Sequence, residues 1–144
     1  VPWQPGSPVL LTKSWWADPG SLRASLTELA QGGFFVQGSD PVATVVAHEL
    51  GHVLHGATVL QQGWKRDPDI NKALRAIVKK HGGVGAVGDL LSHRAAVDES
   101  ELVAEAVASV LFGKPSKLAQ EVYDTVNGAF EDAFKYRGLL WKTA

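Results

Sequence analysis

Two histidines and a glutamate interrupt an otherwise apolar stretch of this chain, and they restrict its fold more than any other feature. The sequence Val-Ala-Thr-Val-Val-Ala at residues 42–47 leads into His48-Glu49-Leu50-Gly51-His52. A helix is expected to begin at Pro41, because Asp40 can accept hydrogen bonds from free backbone N–H groups and proline fits the first helical turn. We predict that this helix runs to about His55 and ends at Gly56, or that it continues past a kink at Gly56 to Gln62. The helix is expected to be buried, where an imidazole without a partner is unfavourable.

The spacing of the two histidines indicates a metal site. His48 and His52 are four residues apart, so both imidazoles lie on one face of a helix and can bind one ion. Glu49 is rotated by about 100° from His48, which suits a carboxylate that acts on water beside the ion. Zinc is expected, because the chain has no cysteine and its ligands must be imidazole and carboxylate. The alternative is a chance motif on an exposed helix, and the apolar context argues against it.

The third ligand must come from another part of the chain. His55 follows near the same face, but three ligands on one continuous helix rarely surround an ion well, so His55 is expected at the helix end or beside a ligand. Glu101 and Glu105 stand out among the acidic residues, because they are one turn apart on an otherwise apolar helix. The opposing interpretation is that Glu101 only caps that helix with Asp98, and that Glu105 is a surface charge.

Both motifs together resemble the gluzincin family of metallopeptidases, typified by the protease domain of anthrax lethal factor. The resemblance covers residues 40–112 and rests on His48-Glu49-Leu50-Gly51-His52 and Glu101-Leu102-Val103-Ala104-Glu105-Ala106. Related domains occur in toxins and in phage structural polyproteins. The resemblance implies a zincin-like fold, zinc as cofactor, Glu101 as the third ligand and Glu105 as the acceptor from a ligand histidine. It also implies a protein or peptide substrate and Glu49 as the general base.

The chain departs from this family seven residues before the ligand glutamate, where the family usually has a tyrosine that stabilises the oxyanion. Arg94 stands there, preceded by His93. Either side chain can donate to a developing oxyanion when charged; alternatively, both lie in a polar loop and the stabiliser is missing. Two functions remain open: a zinc endopeptidase, or a catalytically weak or inactive structural or interaction domain of a larger phage or toxin assembly.

The remaining sequence predicts four more helices and a small sheet. Apolar spacing and start and stop signals place these helices at about Ser21 to Gly32, Pro68 to Gly82, Asp98 to Phe112 and Ser116 to Arg137. Short strands are expected at Val9–Thr12 and Phe34–Val36, and an edge strand near Phe34–Gln37 is expected to align an extended substrate. The predicted fold class is mainly α (α+β) and zincin-like, with about five helices, two or three short strands and the active-site helix in the core.

Composition excludes several other classes of protein. A chain of 144 residues predicts one domain over residues 1–144, and a net charge of −1 without a basic stripe argues against a nucleic-acid partner. No apolar run reaches the roughly 18 residues of a membrane span, and residues 1–11 lack the features of a signal peptide, so a soluble protein without a membrane partner is expected. The absence of methionine predicts a domain excised or processed from a longer chain, such as a polyprotein.

Overall fold

The structure is a computed structural model that describes residues 18–63 and 65–136, with side chains as far as residue 132. Within these ranges the chain forms six α-helices and one turn of 3-10 helix, Arg94–Ala96. None of the described helices is both long and apolar enough to cross a lipid bilayer. The α-helices are α1 (Pro19–Gln31), α2 (Pro41–Gln61), α3 (Asp69–Lys80), α4 (Val84–Leu90), α5 (Glu99–Phe112) and α6 (Lys117–Tyr136).

Side-chain caps fix where most of these helices begin. Asp18, Asp40 and Asp98 each accept hydrogen bonds from backbone N–H groups in the first turns of α1, α2 and α5. Such a cap stabilises a helix by about 1 kcal/mol. α3 has no cap of its own, and the side-chain oxygen of Gln62 accepts from the backbone N–H of Ile70 at 2.8 Å. This bond ties the end of α2 to the start of α3.

One helix has the longer of its two predicted ends, and another was not predicted. α2 continues through Gly56 to Gln61, because burial of the last turns, including Thr58, outweighs the helix penalty of about 1 kcal/mol for glycine. α4 begins in the stretch 82–88, whose four glycines predict a flexible segment that borders the cleft, and it runs to Leu90. Only Gly82 and Gly83 in this stretch have positive φ, and the buried Val87 anchors the helix to the core.

The predicted sheet is wrong, because the described residues contain no strand. Residues 33–34 accept two backbone hydrogen bonds, from His93 to Gly33 and from Arg94 to Phe34, but no ladder continues from them. The next N–H that could extend a ladder, that of Val36, donates instead to the carboxylate of Glu105 at 2.8 Å. The expected substrate-aligning edge at Phe34–Gln37 is therefore not formed. The predicted strand Val9–Thr12 lies outside the described residues.

α5 is the centre of the core. All its residues from 102 to 109 are buried, and it packs between α2 and α6. The main apolar cluster joins α3, α4, α5 and α6, and it includes Leu74, whose burial stabilises the fold by about 2 kcal/mol. A smaller cluster of Val36, Ala47 and Ala108 lies between the start of α2 and the end of α5. The polar residues of α2 and α5 therefore face each other inside the protein.

Candidate metal centre

His48 and His52 lie on the face of α2 that packs against α5. Both are buried, with 5% and 10% of their side-chain surface exposed. The rings are nearly perpendicular, with their centroids 4.7 Å apart, and the two Nε2 atoms are 3.1 Å apart. One helical turn thus directs both Nε2 atoms to the same point.

α5 brings Glu101 to that point. Its Oε2 atom lies 3.3 Å from Nε2 of His48 and 3.7 Å from Nε2 of His52. One ligand atom from each of the three residues lies within 4.8 Å of the others, and the group can hold a metal ion. The structure therefore brings together the three residues that the sequence predicted as ligands.

Gly51 allows the two helices to approach closely enough for this arrangement. A Cβ atom at Gly51 would lie 2.5 Å from Cα of Ala104 and 3.2 Å from the carbonyl oxygen of Val103. Real side chains do not tolerate such a contact with a backbone, so the helices touch only because residue 51 has no side chain. A glycine between two ligand histidines predicts the close approach of another backbone or of a substrate. The approaching backbone is that of α5.

Glu105 is a fully buried carboxylate whose two oxygens are both hydrogen-bonded. Oε1 lies 2.6 Å from Nδ1 of His48, and Oε2 accepts from the Ser92 hydroxyl and from the backbone N–H of Val36. The outer partner of a ligand histidine typically sits in such a position, where it fixes the ring orientation. Glu105 is thus not the surface charge of the opposing interpretation, and it orients His48 toward Glu101.

Sequence reasoning missed two serines that support this arrangement. The Ser100 hydroxyl lies 2.8 Å from Nδ1 of His52, as the counterpart of Glu105 on the second imidazole. The Ser92 hydroxyl donates to Glu105 at 2.7 Å and accepts from the backbone N–H of Ala95. The position of Ser100 beside Glu101 in the first turn of α5 was a usable signal. Ser92 lies in a loop outside both motifs and offered none.

Three lone pairs converge between the two helices. When Nδ1 of His48 donates to the Glu105 carboxylate, Nε2 of the same ring is left as an acceptor. The same holds for His52 when its Nδ1 donates to Ser100. Both Nε2 atoms then face Oε2 of Glu101, which is also an acceptor. Three acceptors at 3.1–3.7 Å need a cation between them.

The pKa values of these groups indicate that, without a metal ion, the cation between them is a proton. Burial would lower the pKa of His48, but hydrogen bonds and charges from Glu101 and Glu105 outweigh it and raise this pKa to about 9. Burial would raise the pKa of Glu101, yet His48 and Arg94 lower it to about 2. Burial and the charge of His48 lower the pKa of His52. A proton on His48 therefore offsets the negative charge of the neighbouring carboxylates, and a metal ion must displace this proton to bind.

Glu49 lies beside the group without belonging to it. Its side chain is partly exposed, and among the described residues it makes no hydrogen bond or ion pair. Its charge nevertheless acts on both His52 and Arg94, which places it close to them. Among the described residues Glu49 is thus a carboxylate without a hydrogen-bond partner, and it lies next to the candidate ligands, as its rotation of about 100° from His48 predicts.

Arg94 contacts a candidate ligand directly. Its Nε donates to Oε2 of Glu101 at 2.6 Å, and its Nη2 donates to Oε1 at 3.1 Å. The guanidinium carbon lies 5.1 Å from the ring centroid of Phe35 and 5.8 Å from that of Phe34. Neither sequence alternative described this pairing, which uses Nε and Nη2 of Arg94.

His93 and His55 lie away from the group. The exposed His93 ring packs against Gly33 and Gly88, and within the described ranges it makes no hydrogen bond to a candidate ligand. The expected oxyanion role of His93 therefore lacks structural support. The buried His55 pairs through Nε2 with the side-chain oxygen of Asn71 at 2.7 Å, so it joins α2 to α3 instead of supporting a ligand.

A cavity of about 660 Å³ lies near the candidate centre but is not lined by its ligands. Phe35 contributes to its wall, and the Phe35 ring centroid is 5.9 Å from that of His48. Gly88 also lines it, at the end of the glycine-containing stretch that we expected to border a cleft. This space adjoins the candidate metal centre through Phe35 and through Val36, whose N–H binds Glu105.

Comparison with known proteins adds no family assignment. We found no protein-family model, no curated protein and no solved structure that matches this chain. The interpretation of the site therefore rests on its own residues and their geometry.

Proposed function

We propose that this chain is a zinc-dependent endopeptidase with a gluzincin-type site. The observation that supports it is the convergence of His48, His52 and Glu101, with Glu105 fixed behind His48. A fully buried glutamate that orients a buried histidine serves little purpose in a core that could be apolar, because buried polar groups are costly unless each is paired. A metal ion that displaces the proton of His48 would pair with all three residues at once.

The three donors fit zinc in type and in spacing. Two histidines and one glutamate form one of the ligand sets of catalytic zinc sites, which leave a fourth position for water or substrate. A tetrahedral ion with bonds of about 2.0–2.1 Å has ligand atoms about 3.3–3.4 Å apart. The donor atoms here are 3.1, 3.3 and 3.7 Å apart. Little movement is thus needed to accept the ion.

Hydrolysis assigns a separate task to each residue. His48, His52 and Glu101 would hold the ion, and the ion would supply Lewis-acid polarisation of water and of the scissile carbonyl group. Glu49 accepts the proton of the attacking water at its carboxylate and returns it to the leaving amine nitrogen. Its lack of any other partner among the described residues supports this role, because the carboxylate is free to accept. Glu105 and Ser100 hold the two imidazoles so that both Nε2 atoms remain acceptors.

Elemental analysis of the purified full chain tests the metal site. We expect one zinc per chain in the wild type and loss of zinc in Glu101→Ala, because two histidines alone hold zinc poorly. Glu99→Ala is the matched control, since Glu99 is on the same helix but pairs with Arg75. It should retain zinc. A wild-type chain that takes up no zinc, even after incubation with the ion, would refute the proposed function.

A metal-containing interaction domain is the second candidate, and an exposed apolar stripe on α2 favours it. Val46, Leu50, Val53 and Leu60 recur at helical spacing and are between 41% and 56% exposed. The stripe lies on the side of α2 opposite His48 and carries no charge. Two such faces can pack without bringing like charges together, so a second copy of this chain is the partner that fits.

The oligomeric state tests this second candidate. Analytical ultracentrifugation should find a dimer in the wild type and a monomer in Leu50→Glu, because dimerisation would bury the added charge. Leu111→Glu is the control, since Leu111 is similarly exposed on α5 but outside the stripe. A wild-type chain that stays monomeric at every concentration would contradict the candidate. A zinc-loaded dimer without hydrolysis would favour it over the peptidase.

A further inference from the structure

Arg94 binds both oxygens of the Glu101 carboxylate. Nε donates to Oε2 and Nη2 donates to Oε1, which is the two-pronged pairing that fixes a carboxylate in position and in plane. The guanidinium also lies over the rings of Phe34 and Phe35, which attract its positive charge. The two rings thus orient Arg94, and Arg94 in turn orients Glu101.

The two oxygens of Glu101 have different surroundings. Oε2 faces Nε2 of both histidines, at 3.3 and 3.7 Å, and it also accepts from Nε of Arg94 at 2.6 Å. Oε1 is engaged by Nη2 of Arg94 at 3.1 Å. A carboxylate can bind a metal ion through one oxygen or through both. Binding through both would require Oε1 to turn toward the histidines and to give up its bond with Arg94.

We propose that Arg94 is a positioning residue that restricts Glu101 to binding the metal through Oε2 alone. The inference rests on the proposed metal function of the same site. Single-oxygen binding keeps three protein donors around the ion and leaves the fourth position of a tetrahedral site open to water. The pair of hydrogen bonds from one guanidinium to both oxygens performs this task, and a positive charge that cannot bind both oxygens does not.

Cobalt(II) reports the number of ligands directly, because four-coordinate cobalt absorbs visible light much more strongly than five-coordinate cobalt. The full-length wild type, Arg94→Gln and Arg94→Lys are each loaded with cobalt and their visible spectra recorded. We expect strong absorption from the wild type and a several-fold weaker band from both variants at one cobalt per chain. Lysine keeps the charge but cannot bind both oxygens, so it separates geometry from electrostatics.

Arg75→Gln is the matched control, because Arg75 also bridges two carboxylates, Asp67 and Glu99, without contact to Glu101. Its cobalt spectrum should equal that of the wild type. Unchanged spectra in both Arg94 variants would overturn the inference and leave the metal function standing. A weak band in Arg94→Gln with a strong band in Arg94→Lys would also overturn it, in favour of charge alone. A wild type that binds no cobalt would overturn both proposals.

Discussion

Replacing Glu49 by glutamine is expected to abolish peptide hydrolysis while the chain keeps its full zinc content. Glutamine has nearly the shape of glutamate but cannot accept the proton of the attacking water. General-base catalysis contributes about 10²–10⁴-fold to a rate, so the turnover number should fall by at least that range. Zinc should remain, because Glu49 is not one of the three residues whose donor atoms converge. Mass spectrometry of new N-termini in an unfolded protein substrate measures the rate.

The control for this experiment is Glu28→Gln, which changes an exposed carboxylate of α1. This variant should cleave at the wild-type rate. Full activity in Glu49→Gln would remove the proposed mechanism, even if zinc is present. A wild type that binds zinc but cleaves no protein or peptide would instead favour the interaction domain.

Replacing Gly51 by alanine is expected to destabilise the fold and to disrupt the metal site together. The added Cβ would lie 2.5 Å from Cα of Ala104, so α2 and α5 must separate or shift. Overpacking of this kind costs about 1–3 kcal/mol or more, whereas alanine gains only about 1 kcal/mol in helix propensity over glycine. The ligands lie on both helices, and sites of this kind tolerate displacements of only about 0.5 Å. We therefore expect a lower melting temperature and at least about 100-fold weaker zinc binding.

Gly128→Ala is the matched control for Gly51→Ala. Gly128 is also a glycine within a helix, and among the described residues a Cβ there meets no atom within 4 Å. Alanine at this position should stabilise the protein by up to about 1 kcal/mol and leave zinc binding unchanged. Thermal unfolding and competitive zinc titration measure both effects. Wild-type zinc affinity in Gly51→Ala would show that close packing at Gly51 does not position the ligands.

The features that could be predicted from the sequence are those set within a single helix. Residues four apart on a helix share a face, so the spacing of the pairs His48–His52 and Glu101–Glu105 alone indicated the polar surfaces of α2 and α5. Asp40 and Asp98 marked the starts of both helices by local hydrogen bonding. The resemblance to gluzincins then suggested which carboxylate faces the histidines and which lies behind them.

Features that depend on contacts between segments could not be predicted in the same way. The predicted strand at Phe34–Val36 is wrong, because Val36 donates its N–H to a buried carboxylate 69 positions away in the chain. A β-type sequence pattern cannot reveal a competing acceptor so distant. α4 was missed because its glycines resemble a loop, and only the burial of Val87 against other helices makes it stable.

Five of the six described helices, the caps of α2 and α5 and the kinds of residue that could bind a metal ion were predictable locally, because hydrogen bonding and side-chain direction repeat along one helix. Which side chains meet depends instead on how the helices pack. The contact of Gly51 with Ala104 sets the distance between α2 and α5, and this distance brings Glu101 to the two histidines. The pairing of Arg94 with Glu101 follows from the same packing, since a guanidinium beside a partly buried carboxylate pairs with the nearest charge.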